Sequence, residues 1–318
     1  MRSPKKFWVF VRLGGLLMFI IFSIIMYCER EKVLKNAATQ SEVKQNGEEQ
    51  NSVAVSPLPE EVEGEQRADY IQASGKTLES RILPPEGFVR QSAKSDSLTA
   101  FLRSYPMKKD GSDVLLYDGT KKGSDVHAAV FKLPLDKLDL QQCADSVMRV
   151  YAEYYWHTGQ KDKIAFHFVD GFLAKYDKWR QGYRIKVGDR SSKWVKSASA
   201  DSSYECFQNY LRIVFSYAST LSQEKESKRI SLKKMEPGDI FIKGGSPGHV
   251  VMVVDVCENA EGRKAFLLAQ GYMPAQEFHV LKNPKYEENP WYYVDEVEYP
   301  FQTPEYTFEK GSFRRPEY

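Results

Sequence analysis

The stretch MEPGDIFIKGGSPGHVVMVVD, residues 235–255, gives the strongest structural signal in the chain. Its Pro237-Gly238 pair predicts a turn that leads into a short strand. A glycine-rich turn at 244–248 then precedes VVMVV, a continuously apolar run that is typical of a strand covered on both faces. His249 stands at the head of that strand, where a rigid strand end can present an imidazole to a cleft as a general base. The alternative is a strand-end histidine in contact with solvent.

The segments on either side of this stretch predict an α+β domain. Apolar residues recur at helical spacing in 138–156 and 204–221, and Asp136 or Asp139 is expected to cap the first of these helices. Helices that come before a run of sequential strands favour the α+β class with a mostly antiparallel sheet. The remaining elements are predicted as a helix at 98–105 and strands at 114–117, 127–133, 163–169, 183–187, 192–198, 239–243, 249–257, 264–270 and 277–282.

Composition excludes several classes of protein. The 318 residues carry 45 basic and 43 acidic side chains, a net charge of +2, so no overall field favours nucleic acid as a partner. The four cysteines are too few for a disulfide-stapled fold, and their spacing matches no structural zinc site. The sequence also contains no phosphate-loop or dinucleotide fingerprint. We therefore expect neither a metal nor a cofactor.

The N-terminus predicts a membrane anchor. The apolar run 13–28 follows the basic residues Arg2, Lys5 and Lys6. A bilayer span needs about 17–25 residues, so this run is at the short end unless it extends further back. Basic residues ahead of such a run favour a cytoplasmic N-terminus and a globular part outside the cytoplasm. A lipidated Cys28 and an ordinary cleaved signal peptide are the alternatives to an uncleaved signal anchor.

An acidic linker follows the anchor. Residues 29–70 hold ten acidic and five basic side chains with few apolar ones, a composition that does not bury enough surface to fold. The sequence therefore predicts an anchor or lipoprotein signal at 1–28, a disordered linker at 29–77 and one globular α+β domain at 78–318.

Residues 202–279 resemble the NlpC/P60 and CHAP groups of papain-like cell-wall peptidases. Those proteins have a cysteine at a helix start, then a Gly-Asp strand, then Gly-His leading a strand, then a polar residue on the next strand. Gly238-Asp239 and Gly248-His249 match two parts of that order. The resemblance implies a papain-like fold and a cysteine hydrolase of peptide or amide bonds, such as those in peptidoglycan.

A larger part of the chain resembles an exported bacterial family of unknown function, number 4846, which is frequent in Bacteroidetes. This resemblance implies a place in the cell envelope and implies no activity. The segments that carry it are QQCADSVMRVYAEYY (141–155), KWRQGYRIKV (178–187), GGSPGHVVMVVD (244–255) and LLAQGYMPAQ (267–276).

Two cysteines are candidates for the nucleophile. Cys206 lies in the first turn of the helix that directly precedes Gly238-Asp239, as in the peptidases, but Glu205 opposes thiolate formation there. Cys143 begins the other helix among small and polar neighbours, which suit an exposed thiol, although it is far from His249 in sequence. We favour Cys143, with Cys206 as the alternative nucleophile; both are also compatible with a buried structural role.

The third member of the site follows from hairpin geometry. A turn near Glu261 joins the strands 249–257 and 264–270, so paired positions sum to about 521 and His249 faces the far end of the second strand. Gln270 is the nearest polar side chain there, and its amide oxygen is suited to accept a hydrogen bond from the imidazole. His279, one strand further on, is the alternative third member.

A group of aromatic and basic side chains gives a candidate binding surface: Trp179, Arg180, Tyr183 and Arg184. Aromatic and guanidinium planes line sugar or peptide grooves, and they also pack at the rims of ordinary domains. The sequence thus favours a membrane-anchored envelope hydrolase, and the alternative is a non-catalytic binding or assembly module with the same fold.

Overall fold

A computed structural model describes residues 70–189 and 191–318, and a nine-stranded sheet lies at its centre. The helices are α1 (Leu78–Arg81), α2 (Leu98–Ser104), α3 (Cys143–His157), α4 (Tyr176–Arg180), α5 (Tyr204–Tyr217) and α6 (Thr220–Lys225). The strands are β1 (Phe88–Val89), β2 (His127–Val130), β3 (Ala165–His167), β4 (Leu173–Lys175), β5 (Tyr183–Val187), β6 (Ser192–Lys196), β7 (Ser227–Arg229), β8 (Ile240–Lys243), β9 (His249–Asn259), β10 (Lys264–Gln270), β11 (His279–Leu281), β12 (Tyr292–Tyr293), β13 (Phe301–Gln302), β14 (Thr307–Phe308) and β15 (Phe313–Pro316). The predicted α+β class is confirmed.

The main sheet has the strand order β2-β11-β10-β9-β8-β15-β7. In addition, β1 pairs with β9, and β12 pairs with β10. Its neighbouring strands are antiparallel. In the central β9–β10 hairpin, Met252 lies opposite Ala269 and Val253 opposite Leu268, which is the register expected from a turn near Glu261. The hairpin therefore carries the head of β9 to the end of β10.

The apolar run of β9 is covered on both faces, as the sequence predicts. Val250 and Met252 belong to the cluster that includes α3, with Met148 among its residues. Val251 and Val253 belong to a second cluster on the other face. Full burial of a valine or phenylalanine contributes about 1.5–3 kcal/mol, so both layers stabilise this strand strongly. The second layer is mainly aromatic and comes largely from the C-terminal part of the chain: Phe241, Phe266, Tyr292, Phe301, Phe308 and Phe313.

The order of the elements differs from the prediction in one respect. Strand β2 precedes α3 in sequence, yet it pairs with β11 at the edge of the main sheet. An antiparallel edge accepts a strand from any part of the chain, so sequence order does not determine its position. The strand predicted at 114–117 is wrong, because Leu115 and Leu116 form only isolated bridges, to Lys121 and Gln276.

Helix α3 begins at Cys143, five residues later than predicted. Neither predicted cap is used: Asp136 forms an ion pair with Arg212, and the Asp139 carboxylate accepts the backbone N–H of Ala275. Gln142 is the N-cap residue. Cys143 is therefore the first residue of the helix, a position at which backbone N–H groups lack partners within the helix.

The helix predicted at 204–221 is divided in two. It ends at Tyr217, and Ser219 caps the separate helix α6 with its side chain. Serine is among the strongest N-cap residues, which explains the interruption. Ser203 caps α5, and its side-chain oxygen accepts the backbone N–H of Cys206.

Residues ahead of position 78 already form backbone hydrogen bonds with the domain. The backbone N–H of Gln72 donates to Arg81, and that of Leu83 donates to Tyr70. In residues 70–189 and 191–318, no helix is long and apolar enough to cross a membrane. The predicted anchor at 13–28 and nearly all of the acidic linker lie outside the described residues.

Candidate functional site

The N-terminus of α3 and the head of β9 meet at a cleft of about 500 Å³. Cys143 and His249 both line it, although 106 positions separate them in sequence. Tyr272, just after β10, and Tyr306, in the turn between β13 and β14, complete one wall. The cleft thus brings together residues from five separate parts of the chain, since residues between 215 and 220 also line it.

Two glycines allow these elements to approach closely. A Cβ atom on Gly248 would lie 2.5 Å from the Thr220 hydroxyl oxygen and 2.3 Å from the Gly245 carbonyl oxygen. A Cβ atom on Gly271 would lie 2.1 Å from the Ser146 hydroxyl oxygen in the first turns of α3. Since such distances are sterically impossible, only glycine lets the turn before His249 and the end of β10 lie against the helices.

His249 is held by Gln270. Its Nε2 atom lies 2.8 Å from the Gln270 side-chain oxygen, and only 2% of His249 is exposed. The rings of Tyr272 and Tyr306 pack against the imidazole at centroid distances of 4.9 and 5.0 Å. Burial lowers the pKa of His249 to about 4, and the hydrogen bond that His249 donates to Gln270 offsets only part of this effect.

This hydrogen bond also determines which ring nitrogen carries the proton. An amide oxygen only accepts, so Nε2 of His249 must be the protonated nitrogen. The Nδ1 atom then carries the lone pair and is the basic nitrogen of the ring. A histidine in this tautomer can take a proton through Nδ1 while Gln270 fixes its orientation.

The sulfur of Cys143 lies close to the head of β9. Cys143 is partly exposed at the first position of α3. Burial of the thiol raises its pKa to about 11, and the nearby carboxyl of Asp145 contributes to this rise. The nearby backbone N–H groups of Ala144 and Val250 favour the thiolate and lower the thiol pKa, which offsets part of this effect. Because Val250 directly follows His249, the Cys143 thiol and His249 belong to the same cleft.

Asp145 lies in the first turn of α3 and also lines the cleft. One of its carboxyl oxygens accepts the backbone N–H of Gln142 at 3.1 Å. Burial raises the pKa of Asp145 well above its usual value. An uncharged Asp145 opposes thiolate formation at Cys143 less than a carboxylate does.

Cys206, the alternative nucleophile, lies elsewhere. It is 3% exposed, its carbonyl accepts the Trp179 indole N–H, and burial raises its thiol pKa. Of the three cysteines in the part of the chain that the structure describes, Cys143 is the one that lines the cleft.

His279, the alternative third member, lies beside Gln270 in the register of β10 and β11. Its Nδ1 atom is 2.8 Å from the carbonyl oxygen of Glu277, and burial lowers its pKa to about 3. The side chain that accepts the hydrogen bond of the His249 ring is Gln270 instead.

The four residues of the candidate binding surface form a packed group beside the β5–β6 hairpin, which is present as predicted. Trp179 is buried, and the Arg184 guanidinium lies 4.3 Å from its ring centroid. Arg180 pairs with Asp177, and Tyr183 lies near two lysine ammonium groups. In these contacts the aromatic rings and guanidinium groups bind each other and neighbouring side chains. A ligand-binding role stays a prediction.

Sequence reasoning missed three residues that surround His249: Tyr272, Glu305 and Tyr306. Tyr272 follows Gly271 at the end of a predicted strand, and a glycine in that position signals close approach of other groups. Glu305 and Tyr306 give no local signal, because they reach the site through the fold of the C-terminal segment. The Gln270 amide nitrogen donates to the Glu305 carboxylate at 2.6 Å.

Comparison with known proteins identifies the family. The model of the domain of unknown function 4846 matches residues 78–315, which is most of the chain, so the chain belongs to this family. No curated protein and no solved structure matches it.

Proposed function

We propose that this member of family 4846 is a cysteine hydrolase of amide bonds, with Cys143 as nucleophile, His249 as general base and Gln270 as the orienting residue. The observation that supports this most directly is the cleft that Cys143 and His249 both line. A cysteine at a helix start, a histidine at a strand head and a polar residue on the next strand also follow the order of papain-like peptidases.

The reaction proceeds in two halves. Nδ1 of His249 takes the thiol proton as the Cys143 sulfur attacks the carbonyl carbon. The resulting oxyanion forms near the N-terminus of α3, where backbone N–H groups and the helix dipole stabilise negative charge. The C–N bond then breaks, the amine leaves with the proton from His249, and a thioester remains. Water, deprotonated by His249, attacks the thioester, and the acid and the free thiol are released.

The resting site holds a thiol and a neutral imidazole. A thiol pKa raised to about 11 and an imidazole pKa lowered to about 4 keep the proton on sulfur at neutral pH. The proton therefore moves only when a substrate carbonyl is in place, since the developing oxyanion is then stabilised. This order differs from that of enzymes with a preformed thiolate.

A second cleft supports an extended substrate. It has a volume of about 530 Å³ and shares Phe215 with the cleft of Cys143. Its wall combines the exposed apolar side chain of Leu138 with the ion pair of Asp136 and Arg212. Adjoining clefts of this kind suit a chain with several peptide units, such as the stem peptides of peptidoglycan.

A non-catalytic envelope module is the second candidate function. The observation in its favour is the near-complete burial of His249 together with the raised thiol pKa. Such a site binds a ligand through the hydrogen-bonding groups of the cleft and leaves the thiol unreactive.

Thiol labelling distinguishes the two functions. With iodoacetamide at neutral pH, we expect Cys143 to be alkylated faster than the buried Cys206 and Cys257, because it is the partly exposed thiol among these three. Peptide mapping by mass spectrometry gives the rate for each cysteine separately. Alkylation is expected to abolish release of amino groups from peptidoglycan in proportion to the modified fraction.

Cys206→Ser is the matched control, because it removes a thiol from the domain and leaves the cleft intact. It is expected to keep the labelling rate at Cys143, whereas Cys143→Ser removes the fast reaction. Release of amino groups that continues unchanged after Cys143 is fully alkylated would contradict the hydrolase proposal and support the non-catalytic module.

We further propose a place in the cell envelope, with the domain outside the cytoplasm, on the basis of the apolar run 13–28 behind its basic residues. The full chain is expected to remain with membranes after high-salt and carbonate washes. Its domain should be digested by protease added from the outer side. Release of the intact chain into either wash contradicts the anchor.

A further inference from the structure

The amide group of Gln270 is held on both sides. Its oxygen faces Nε2 of His249 at 2.8 Å, and its nitrogen donates to a carboxylate oxygen of Glu305 at 2.6 Å. Gln270 itself is fully buried. A chain of hydrogen bonds therefore runs from the imidazole through the amide to a carboxylate.

The carboxylate of Glu305 is fixed in turn by Lys122. Its other oxygen lies 2.8 Å from the lysine ammonium, and the Ser124 hydroxyl lies 3.1 Å from the same oxygen. The side chains of Lys122 and Glu305 are only 8% and 15% exposed. An ion pair with so little solvent contact holds its geometry better than one on an open surface.

This arrangement permits one orientation of the amide. A carboxylate only accepts hydrogen bonds, so the NH₂ end of Gln270 must point to Glu305 and the oxygen end to His249. If the amide turned over, its NH₂ group would face the ring, and His249 would have to carry its proton on Nδ1. The nitrogen that acts as the base would then be blocked.

We propose that Glu305 is a positioning residue: it orients the Gln270 amide and thereby fixes His249 in the Nε2–H tautomer. The contribution of Glu305 to catalysis rests on the proposed hydrolase function, whereas the assignment of the His249 tautomer does not rest on it. A glutamine alone leaves two amide orientations open, and the carboxylate removes one of them.

The C-terminal hairpin supplies this residue. Glu305 lies in the turn between β13 and β14, next to Tyr306, whose ring packs on His249 and whose hydroxyl lies 3.3 Å from the Pro247 carbonyl oxygen. Because Phe301 pairs with Phe308 and both are buried against the sheet, the turn has a fixed position over the cleft. The last strands of the domain thus take part in the site formed by α3 and β9.

Nitrogen NMR of the full chain with ¹⁵N-labelled histidine tests the proposal at neutral pH. In the unchanged protein, His249 is expected to show a protonated, pyrrole-like Nε2 and a pyridine-like Nδ1. In Glu305→Gln, the side chain at 305 can donate as well as accept, so both amide orientations of Gln270 become possible. The two nitrogen shifts should then move toward each other as the Nδ1–H tautomer is populated.

A double variant tests whether the original tautomer of His249 can be restored. Glu305→Gln combined with Gln270→Glu returns a carboxylate to the position opposite the ring, which again requires the proton on Nε2. The shifts of the unchanged protein should return in the double variant, which a purely structural role of Glu305 does not predict. Glu309→Gln, an exposed change in the same segment, is the matched control and should leave the shifts unchanged.

The outcomes separate this inference from the proposed function. A single Nε2–H tautomer in Glu305→Gln, or an Nδ1–H tautomer in the unchanged protein, overturns the positioning role. If the tautomer behaves as expected but no amide hydrolysis is found with any variant, the positioning role stands and the hydrolase proposal fails. If both hold, Glu305→Gln should lower kcat with little change in KM, because substrate contacts are retained.

Discussion

Replacement of Asp255 by alanine is expected to lower the free energy of unfolding by about 3–5 kcal/mol. Asp255 lies in β9 and is fully buried. One carboxylate oxygen is 2.6 Å from Nε of Arg90, and the other is 2.8 Å from Nε of Arg103. Removing the carboxylate leaves two guanidinium groups without their counterion in a poorly solvated place, and this penalty dominates the loss.

The effect extends to the packing of the N-terminal part of the domain on the sheet. Arg90 also donates to the Ile82 carbonyl at 2.6 Å, and Arg103 donates to the Val256 carbonyl at 3.0 Å. Asp255 thereby connects the segment around α2 to the strand that carries His249. Loss of the connection should therefore be visible as faster amide exchange in residues 82–104 as well as in the unfolding midpoint.

Chemical denaturation of the two proteins under identical conditions measures this change, and Asp295→Ala is the matched control. Asp295 pairs with Arg263 in the same way, but its side chain is 57% exposed. An exposed pair contributes about 0–1 kcal/mol, so the control should unfold almost like the unchanged protein. Similar losses for the two variants would contradict the special role of the buried carboxylate.

The part of the site that the sequence predicts correctly is the part formed by local geometry. His249 and Gln270 belong to one hairpin, and the register of a hairpin follows from its turn. Their hydrogen bond could therefore be anticipated from a turn near Glu261 and a polar residue at the right distance. The same holds for the burial of β9, which follows from its continuous apolar run.

The parts that could not be predicted depend on contacts between distant segments. The start of α3 at Cys143 depends on Asp139 bonding to Ala275 and on Asp136 pairing with Arg212, and both partners lie far away in sequence. The contact of Glu305 with Gln270 likewise requires the C-terminal hairpin to be placed first. No periodicity or motif in a single sequence predicts such a contact between distant segments.

His249→Ala is expected to reduce kcat/KM for the release of amino groups from peptidoglycan by about 10²–10⁴-fold. Without the imidazole, the Cys143 thiol loses the proposed base for its proton, and the leaving amine loses its acid. His157→Ala is the matched control, because this histidine is exposed at the end of α3. The control should keep the rate of the unchanged protein.

The pH dependence of kcat/KM provides the second half of this test. His249 must be neutral to act as a base, so the rate should rise with pH through its pKa of about 4. It should fall only near the thiol pKa of about 11, where the proton needed by the leaving amine is lost. The unchanged protein is therefore expected to show a broad plateau between these values, and the rising acid limb should disappear in His249→Ala. An acid limb near the ordinary histidine pKa of about 6.5 would show that the ring is not buried in the free enzyme. An acid limb that persists unchanged in His249→Ala would assign the base to another residue.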